Sequence, residues 1–378
     1  MLKVGIIGCG NITVNDHAPT LCELDGVQVT AIADPVESRR QKVQAMLGLP
    51  DSACFADHHA LLGAGVDYVV LTVPQKFRRP IIEECARAGA HVLSEKPMAT
   101  VPADARAMID SMRAANLRYG MVHNYLFYPE YALARKLIAD GAIGQLRHVS
   151  LNFLGVPDSP GAAEYRPHWR HDPAEAGGGI LMDMMHAIYL AEFFVGGTIR
   201  HVSAVADNLD HDGEAVEDFT LATYYFDSGY ATVNMWWGGG PGGVEISGAK
   251  GRIMIFYENY GVGPFTPLES FTLVNERGRK TYQPRGENYT PDNFARLHAD
   301  FAEAVRAGRE PVADGEAGLR ALEATLGAYE SAATGRVVSL PFAAGGAVYQ
   351  SGVMGLQKMD VWRESPLFKH RVFGLGGE

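Results

Sequence analysis

From residue 2 onward the chain alternates two hydrophobic periodicities. Short valine- and isoleucine-rich runs, "KVGIIG" (3–8), "VQVTAIAD" (27–34), "VDYVVLTVP" (66–74), "HVLSEKP" (91–97) and "LRYGMVH" (117–123), end at glycine, proline or a polar residue and predict strands. Between them "VESRRQKVQAMLG", "IIEECARAGA" and "ADARAMIDSMRAAN" carry helical spacing. Strands apolar on both faces must be covered on both faces. The alternation therefore predicts an α/β domain with a doubly wound parallel sheet over residues 1–122.

Beyond residue 123 the pattern changes. A helical stretch, "PEYALARKLIADGAIG", is followed by "QLRHVSLNFLG" and a glycine-led apolar helix over 177–195. Long alternating runs then follow: "RHVSAVADNL", "EDFTLATYYFDSGYATVNMWW", "GVEISGAKGRIMIFY" and "ESFTLVNERGRKTYQ". Alternation joined by turns such as "FDSGY" predicts an α+β domain, over 123–342, with a large, open-faced, mainly antiparallel sheet. Helices over 291–307 and 316–334 close it, and 343–378, Gly-led and carrying Tyr349, Trp362, Phe368 and Phe373, reads as a C-terminal arm.

Composition narrows the partners. The formal charge of −11 repels nucleic acid and anionic membrane in bulk, and no apolar run approaches the ~18 residues that span a bilayer. The first strand pattern begins at residue 2 and leaves no room for a secretory leader. Cys9, Cys22, Cys54 and Cys85 form neither a disulfide framework nor a zinc pattern, which suits a reducing cytoplasm. Acids and histidines nowhere fall into HExxH, and no GxSxG occurs, so no metal site and no nucleophilic triad is expected.

"GIIGCGNIT" follows a strand and opens a helix, the context that a dinucleotide fingerprint requires. Gly8 would make the tight turn and Gly10 would admit a pyrophosphate to the helix N-terminus. Thr13 stands where the fingerprint has its third glycine. Asp34 ends the second strand 24 residues after Gly10, where a carboxylate receives the ribose hydroxyls and repels a 2′-phosphate. NAD is the expected cofactor; Arg39 and Arg40 beside it leave NADP open.

"SEKPMA" (94–99), with "GCGNI", "VDYVVLTVP", "AGAHVLSEKP", "DGAIGQLRHVSLNF", "AEAGGGILMDMMH" and "EDFTLATYYFDSGYATV", resembles the Gfo/Idh/MocA family of NAD(P)-dependent sugar oxidoreductases, in order from residue 2 to about 341. The resemblance implies a Rossmann domain, a second domain carrying the substrate site, and homodimers or homotetramers formed through its sheet. It also implies hydride transfer between nicotinamide and a secondary alcohol of a sugar, polyol or sugar acid. Onto the cofactor site it maps Gly8, Gly10, Asn11, Ile12, Asp34, Arg39, Thr72, Pro74, Glu95 and Lys96. Lys96 matches the family's catalytic lysine, whose ammonium can donate to the reacting oxygen.

"GGGILMDMMHAIYL" (177–190) raises a question of its own, because Asp183 and His186 interrupt an apolar run. Three residues apart on one helix, they would share a face, and a helix apolar nearly all round is buried, where an unpaired carboxylate is costly. The reading is a working pair: His186 takes the hydroxyl proton and Asp183 orients substrate or holds the imidazole. In the family this pair stands four apart, and here position 187 is alanine. His123, Tyr125, His168 and His171 are thus alternative proton acceptors. The competing role for His186 is a core histidine bonded to Asp183.

Other departures bear on substrate. Gln75 and Arg78 stand where the family usually has Asn and His. "EYRPHWRHDP" (164–173) gathers Arg166, His168, Trp169 and Arg170, whose aromatic faces and cationic donors suit a sugar, including one with a carboxylate. With His123, Tyr125, Asp183 and His186 they form the expected substrate-binding set. Trp236 and Trp237 either line the same pocket or pack the sheet. Two further functions compete with the dehydrogenase: an enzyme that retains NAD and cleaves or isomerises glycosides by transient oxidation, and a non-catalytic NAD-sensing protein.

Overall fold

The six short strands of the first region are β1 (Leu2–Ile7), β2 (Val27–Ala33), β3 (Cys54–Phe55), β4 (Tyr68–Leu71), β5 (His91–Ser94) and β6 (Tyr119–Met121). They pair in parallel in the order β3-β2-β1-β4-β5-β6. This is the doubly wound order with its switch point between β1 and β4, so the ends of those strands face a ligand crevice. Val4, Ile6, Ile32, Val69, Val70 and Val92 are inaccessible to solvent, as strands covered on both faces require. Residues 1–158, 168–240, 242–258, 266–286 and 289–376 are described in this computed structural model.

The second sheet takes β7 (Leu146–Leu154), β8 (His201–Asp207), β9 (Phe219–Tyr225), β10 (Tyr230–Trp236), β11 (Gly243–Gly248), β12 (Gly251–Tyr257), β13 (Leu268–Asn275), β14 (Gly278–Tyr282) and β15 (Val338–Ser339). Their order is β14-β13-β12-β11-β7-β10-β9-β8-β15, antiparallel except where β7 meets β10. One face is apolar: Val149, Leu151, Phe153, Val233, Met235 and Tyr224 are wholly buried, and the helix His186–Val195 packs on β7 and β10. The alternate residues of β8, β9 and β10 lie open, with Val205, Leu221 and Tyr230 exposed by 47%, 47% and 53%.

The chain divides into two compact units whose bounds depart from the linear reading. The first comprises Met1–Ala99, Ala103–Asn124 and Asp292–Leu319; the second comprises Thr100–Pro102, Tyr125–Pro291 and Arg320–Glu378. The return of Asp292–Leu319 has a packing cause. The helix Asn293–Ala307 buries Leu297, Phe301 and Ala304, and Phe301 meets Tyr68 edge-on at 5.4 Å. Met121 N–H donates to the carbonyl of Ala313 at 2.8 Å.

Residues 343–376 correct another expectation. They are no exposed arm: Leu356, Leu367, Val372 and Phe373 are fully buried within the second unit, and Phe373 packs edge-on against Tyr329 at 4.9 Å. Of the aromatics there, Trp362 is exposed, at 48%, whereas Tyr349 and Phe368 are half-buried. Among the described residues no single helix is long and apolar enough to cross a membrane.

Candidate active site

The nucleotide half lies in the first unit. β1 delivers the chain to Gly8, whose φ of +101° and close approach to Thr72 exclude a side chain: a Cβ there would stand 2.5 Å from Thr72 Oγ1. Nothing lies within 4 Å of a Cβ built on Gly10, so backbone there is open to a ligand. Asn11 is exposed and Ile12 half-buried at the start of the helix, and Val14 N–H bonds back to the Gly10 carbonyl at 3.1 Å.

Thr13 takes the third glycine's place with a bond of its own. Its hydroxyl donates to the Gly8 carbonyl at 2.8 Å and meets Thr72 Oγ1 at 2.9 Å; Thr72 in turn donates to Gly8 at 2.7 Å. The helix is widened into a π-helical turn over Thr13–His17, just ahead of Pro19, which has no N–H to donate.

Asp34 accepts from Cys9 N–H and from Val36 N–H, each at 2.8 Å, one on each oxygen. A carboxylate oxygen has a second acceptor site, so the group ties two loops together and can still receive ribose hydroxyls. Arg40 donates to the Asp34 carbonyl at 2.6 Å, and Arg39 stands half-buried beside it. Thr72 and Pro74, also half-buried, follow β4. A turn only glycine can make, an open Gly10 and an acidic strand end fit a dinucleotide.

Lys96 follows β5 through a cis Lys96–Pro97 bond. Its backbone N–H donates to Glu95 Oε2 at 2.9 Å. Arg78, read from the sequence as a departure bearing on substrate, and His17, which that reading left without a role, hold this turn. Arg78, 3% exposed, donates from Nη1 to the carbonyls of Glu95 and Pro97 and from Nε to Val73 at 2.8 Å; burial pulls its guanidinium down to about 10. His17 places Nε2 at 3.0 Å from Glu95 Oε1 and Nδ1 at 2.9 Å from His298 Nε2. Burial alone would raise the Glu95 carboxyl, but the His17 bond and the charges of His17, Lys96 and Arg78 outweigh it and hold it low. Burial, then His17, pushes the His298 imidazole well below its usual value. His123, 1% exposed, also belongs to this unit.

Tyr125, Asp183 and His186, expected at the substrate, lie in the second unit, and they correct the shared-helix expectation. Asp183 ends the short helix Ile180–Asp183, His186 begins the helix His186–Val195, and the stretch Pro173–Asp183 is bent by 48° from that second helix. Met184, at φ −100° and ψ 30°, breaks the helical path. Each side chain consequently has a setting of its own. Asp183 faces Arg170 Nη1 at 3.4 Å, whose guanidinium lies 5.4 Å from the Trp169 ring. His186 stacks on Tyr125 at 4.1 Å and meets the Tyr189 hydroxyl through Nδ1 at 2.5 Å. Tyr189 also accepts from Tyr125 N–H at 3.2 Å. Burial first, and then the Asp183 charge, raise the Tyr125 phenol above its usual value.

The remaining candidates separate. His168 is exposed, with φ +68°. His171 is buried, with Nε2 hydrogen-bonded to Asp158 at 3.0 Å and Nδ1 3.1 Å from the Glu214 carboxylate without a hydrogen bond to it. Trp237 stacks on that ring at 5.4 Å, which makes it a packing residue here. Arg166 lies outside the described residues.

Glu217 and Tyr329 were missed by the sequence reading. Glu217, wholly buried, accepts from Gly179 N–H at 2.9 Å, Leu181 N–H at 3.0 Å and the Tyr329 hydroxyl at 2.7 Å. Tyr329 accepts from Met182 N–H at 3.1 Å. Together they satisfy the orphan donors of the glycine-led turn. Burial lifts the Glu217 carboxyl to about 7 even with those donors. The only hint in the sequence was an acidic pair, "ED", ahead of an alternating strand.

Two family models match this chain: the oxidoreductase family with an NAD-binding Rossmann fold over residues 2–123, and the Gfo/Idh/MocA C-terminal domain over 131–254. The chain belongs to the Gfo/Idh/MocA oxidoreductase family. It is accordingly a nicotinamide-dependent oxidoreductase of carbohydrates, with an NAD-binding first domain. The myo-inositol 2-dehydrogenase of Thermotoga maritima is 26% identical over 355 residues, 90% of this chain and 98% of that protein. The dTDP-3,4-didehydro-2,6-dideoxy-alpha-D-glucose 3-reductase of Streptomyces violaceoruber is 31% identical over 215 residues, 56% of this chain and 58% of that one. Among solved structures, the aldose-aldose oxidoreductase from Caulobacter crescentus, complexed with glycerol, superposes with a TM-score of 0.79 at 26% identity, covering 90% of this chain and 99% of that one.

Proposed function

We propose that the chain is an NAD-preferring dehydrogenase for a secondary alcohol of a monosaccharide, polyol or sugar acid, and that Lys96, Asp183 and His186 carry its reaction. The observation behind this is the setting of His186. Its ring is fixed by the Tyr125 face and its Nδ1 by Tyr189, which already accepts from Tyr125 N–H. In the tautomer with its proton on Nδ1, donated to the Tyr189 oxygen, Nε2 is the basic nitrogen. There it receives the substrate hydroxyl proton as the C–H electron pair leaves the same carbon. A base so placed contributes ~10²–10⁴-fold.

Bound NAD supplies the hydride acceptor. Lys96 donates to the reacting oxygen from a turn that Glu95, Arg78 and His17 hold still. Asp183, which faces Arg170, accepts from a neighbouring sugar hydroxyl. Arg170, Trp169 and His168 give this region cationic and aromatic character suited to a sugar or sugar acid. Asp34 favours NAD, since a 2′-phosphate would meet its carboxylate. The open face of β8, β9 and β10, with Val205, Leu221 and Tyr230, joins copies of the chain into a homodimer or a homotetramer. Free thiols at all four cysteines and the acidic balance suit a cytoplasmic enzyme that binds neither nucleic acid nor membrane.

The test is nicotinamide absorbance with NAD or NADP and a panel of sugars, polyols and sugar acids, run beside Lys96→Ala. Reduction of NAD that disappears in the variant, with NAD binding retained, is the expected result. Undiminished turnover in Lys96→Ala overturns the assignment, and the absence of net reduction with every compound overturns the dehydrogenase reading.

A further inference from the structure

We propose that His58, His59 and Glu84 bind a divalent transition-metal ion of the zinc and nickel class. The helix His58–Gly63 packs against the helix Arg78–Ala88, and at that seam three ligand-type atoms converge. His58 Nε2 lies 3.0 Å from Glu84 Oε2, and His59 Nδ1 lies 2.7 Å from the same oxygen. All three atoms are within 4.8 Å of one another. Adjacent residues on a helix point about 100° apart. These two imidazoles nevertheless stand 4.2 Å apart, tilted by 31°, and turn toward one carboxylate.

An ion pair accounts for only part of the cluster, since His59 Nδ1 meets Glu84 Oε2 at 2.7 Å. His58 Nε2 is buried and, despite its 3.0 Å distance from the same oxygen, has no hydrogen-bond partner. Ligands bound tetrahedrally at about 2.05 Å stand ~3.3 Å apart, so the two ring nitrogens, now 3.0 and 2.7 Å from Glu84 Oε2, would part by a few tenths of an ångström to admit an ion. The other Glu84 oxygen faces Arg87 Nη2 at 3.8 Å, which leaves Oε2 for the histidines. The Asp57 side chain caps the helix, accepting from Ala60 N–H at 3.0 Å. A second negative charge thus stands one residue from the ligands.

Two imidazoles and one carboxylate select zinc, nickel, cobalt or copper over magnesium and calcium, which prefer oxygen. Three protein ligands leave positions for water, and His59, 66% exposed, leaves the site open to solvent. The bound ion would staple the two helices and favour the folded state. None of the residues assigned to cofactor or substrate takes part, so the ion is structural and the dehydrogenase reaction proceeds without it.

The test uses untagged full-length protein stripped with a chelator and titrated calorimetrically with zinc or nickel chloride. We expect one ion per chain, a rise in melting temperature, and no competition from a large excess of magnesium. Removing one of three ligands, in His59→Ala or Glu84→Gln, is expected to weaken binding about tenfold or more and abolish the melting shift, with circular dichroism and turnover unchanged. Cys22→Ser, at the one exposed thiol, is expected to bind as the parent does. No stoichiometric binding at about 100 μM metal, equal affinity in His59→Ala, or loss of binding in Cys22→Ser would each overturn the site.

Discussion

Gly179→Ala tests how the glycine-led turn is built. Its φ of −96° is not left-handed, and the objection is the space that a side chain needs. A Cβ there would stand 1.9 Å from the Glu217 backbone oxygen, and since real contacts do not fall below 3.0 Å, the segments must part by at least 1.1 Å (3.0 − 1.9). Three hydrogen bonds join those segments: Ile180 N–H to the Glu217 carbonyl at 3.1 Å, and Gly179 and Leu181 N–H to its carboxylate at 2.9 and 3.0 Å. Weakening two of them, with overpacking of ~1–3 kcal/mol, gives a loss of roughly 3–5 kcal/mol. For a unit of this size that is on the order of 10 °C in melting temperature. Asp183 N–H bonds to the Gly179 carbonyl at 2.9 Å, so the displacement reaches a residue proposed at the substrate. We expect kcat/KM to fall about tenfold or more while NAD affinity, read by fluorescence titration, stays as in the parent. A variant with parental melting temperature and turnover would refute the close-approach argument.

Asp34→Ala removes the acceptor for two loop amides and for the ribose; we expect KM for NAD to rise about 10–100-fold and the preference over NADP to shrink, and an unchanged cofactor ratio would count against Asp34 as the discriminator. Glu217 makes a pH prediction. Its carboxyl is raised from 4.5 to about 7, so its contribution to stability is complete below pH 4.5 and is lost as pH climbs through 7. Denaturant unfolding should therefore show the parent losing stability relative to Glu217→Gln across that window, and parallel pH profiles would exclude the effect. Phe373→Ala should cost about 3–5 kcal/mol, as for a fully buried aromatic, where an exposed arm would tolerate it; calorimetry distinguishes the two.

Local pattern was enough to place the nucleotide half. Strand ends, Gly8, Gly10 and Asp34 lie where their spacing put them, because a β-turn-α unit is nearly continuous in sequence and its chemistry sits at its own ends. The alternation along β9 and β10 likewise announced a sheet with one open face, since burial on a single side imposes a period of two. The bend between Asp183 and His186 was not legible: "ILMDMMHAIY" carries no proline, and one continuous helix satisfies its periodicity equally well. What decides the bend is distant in the chain, the buried Glu217 and Tyr329 that take the N–H groups of Gly179, Leu181 and Met182. Arg78, His17 and His298 around Lys96, the return of Asp292–Leu319 to the first unit, and the meeting of His58 and His59 with Glu84 share that character. Sequence alone determined which segments are strands, which turn has the build of a dinucleotide loop and which residue types a reaction would have at its disposal. Tertiary structure decided which buried charges are paired and which backbone donors are satisfied, because those partners come from segments that only folding brings together.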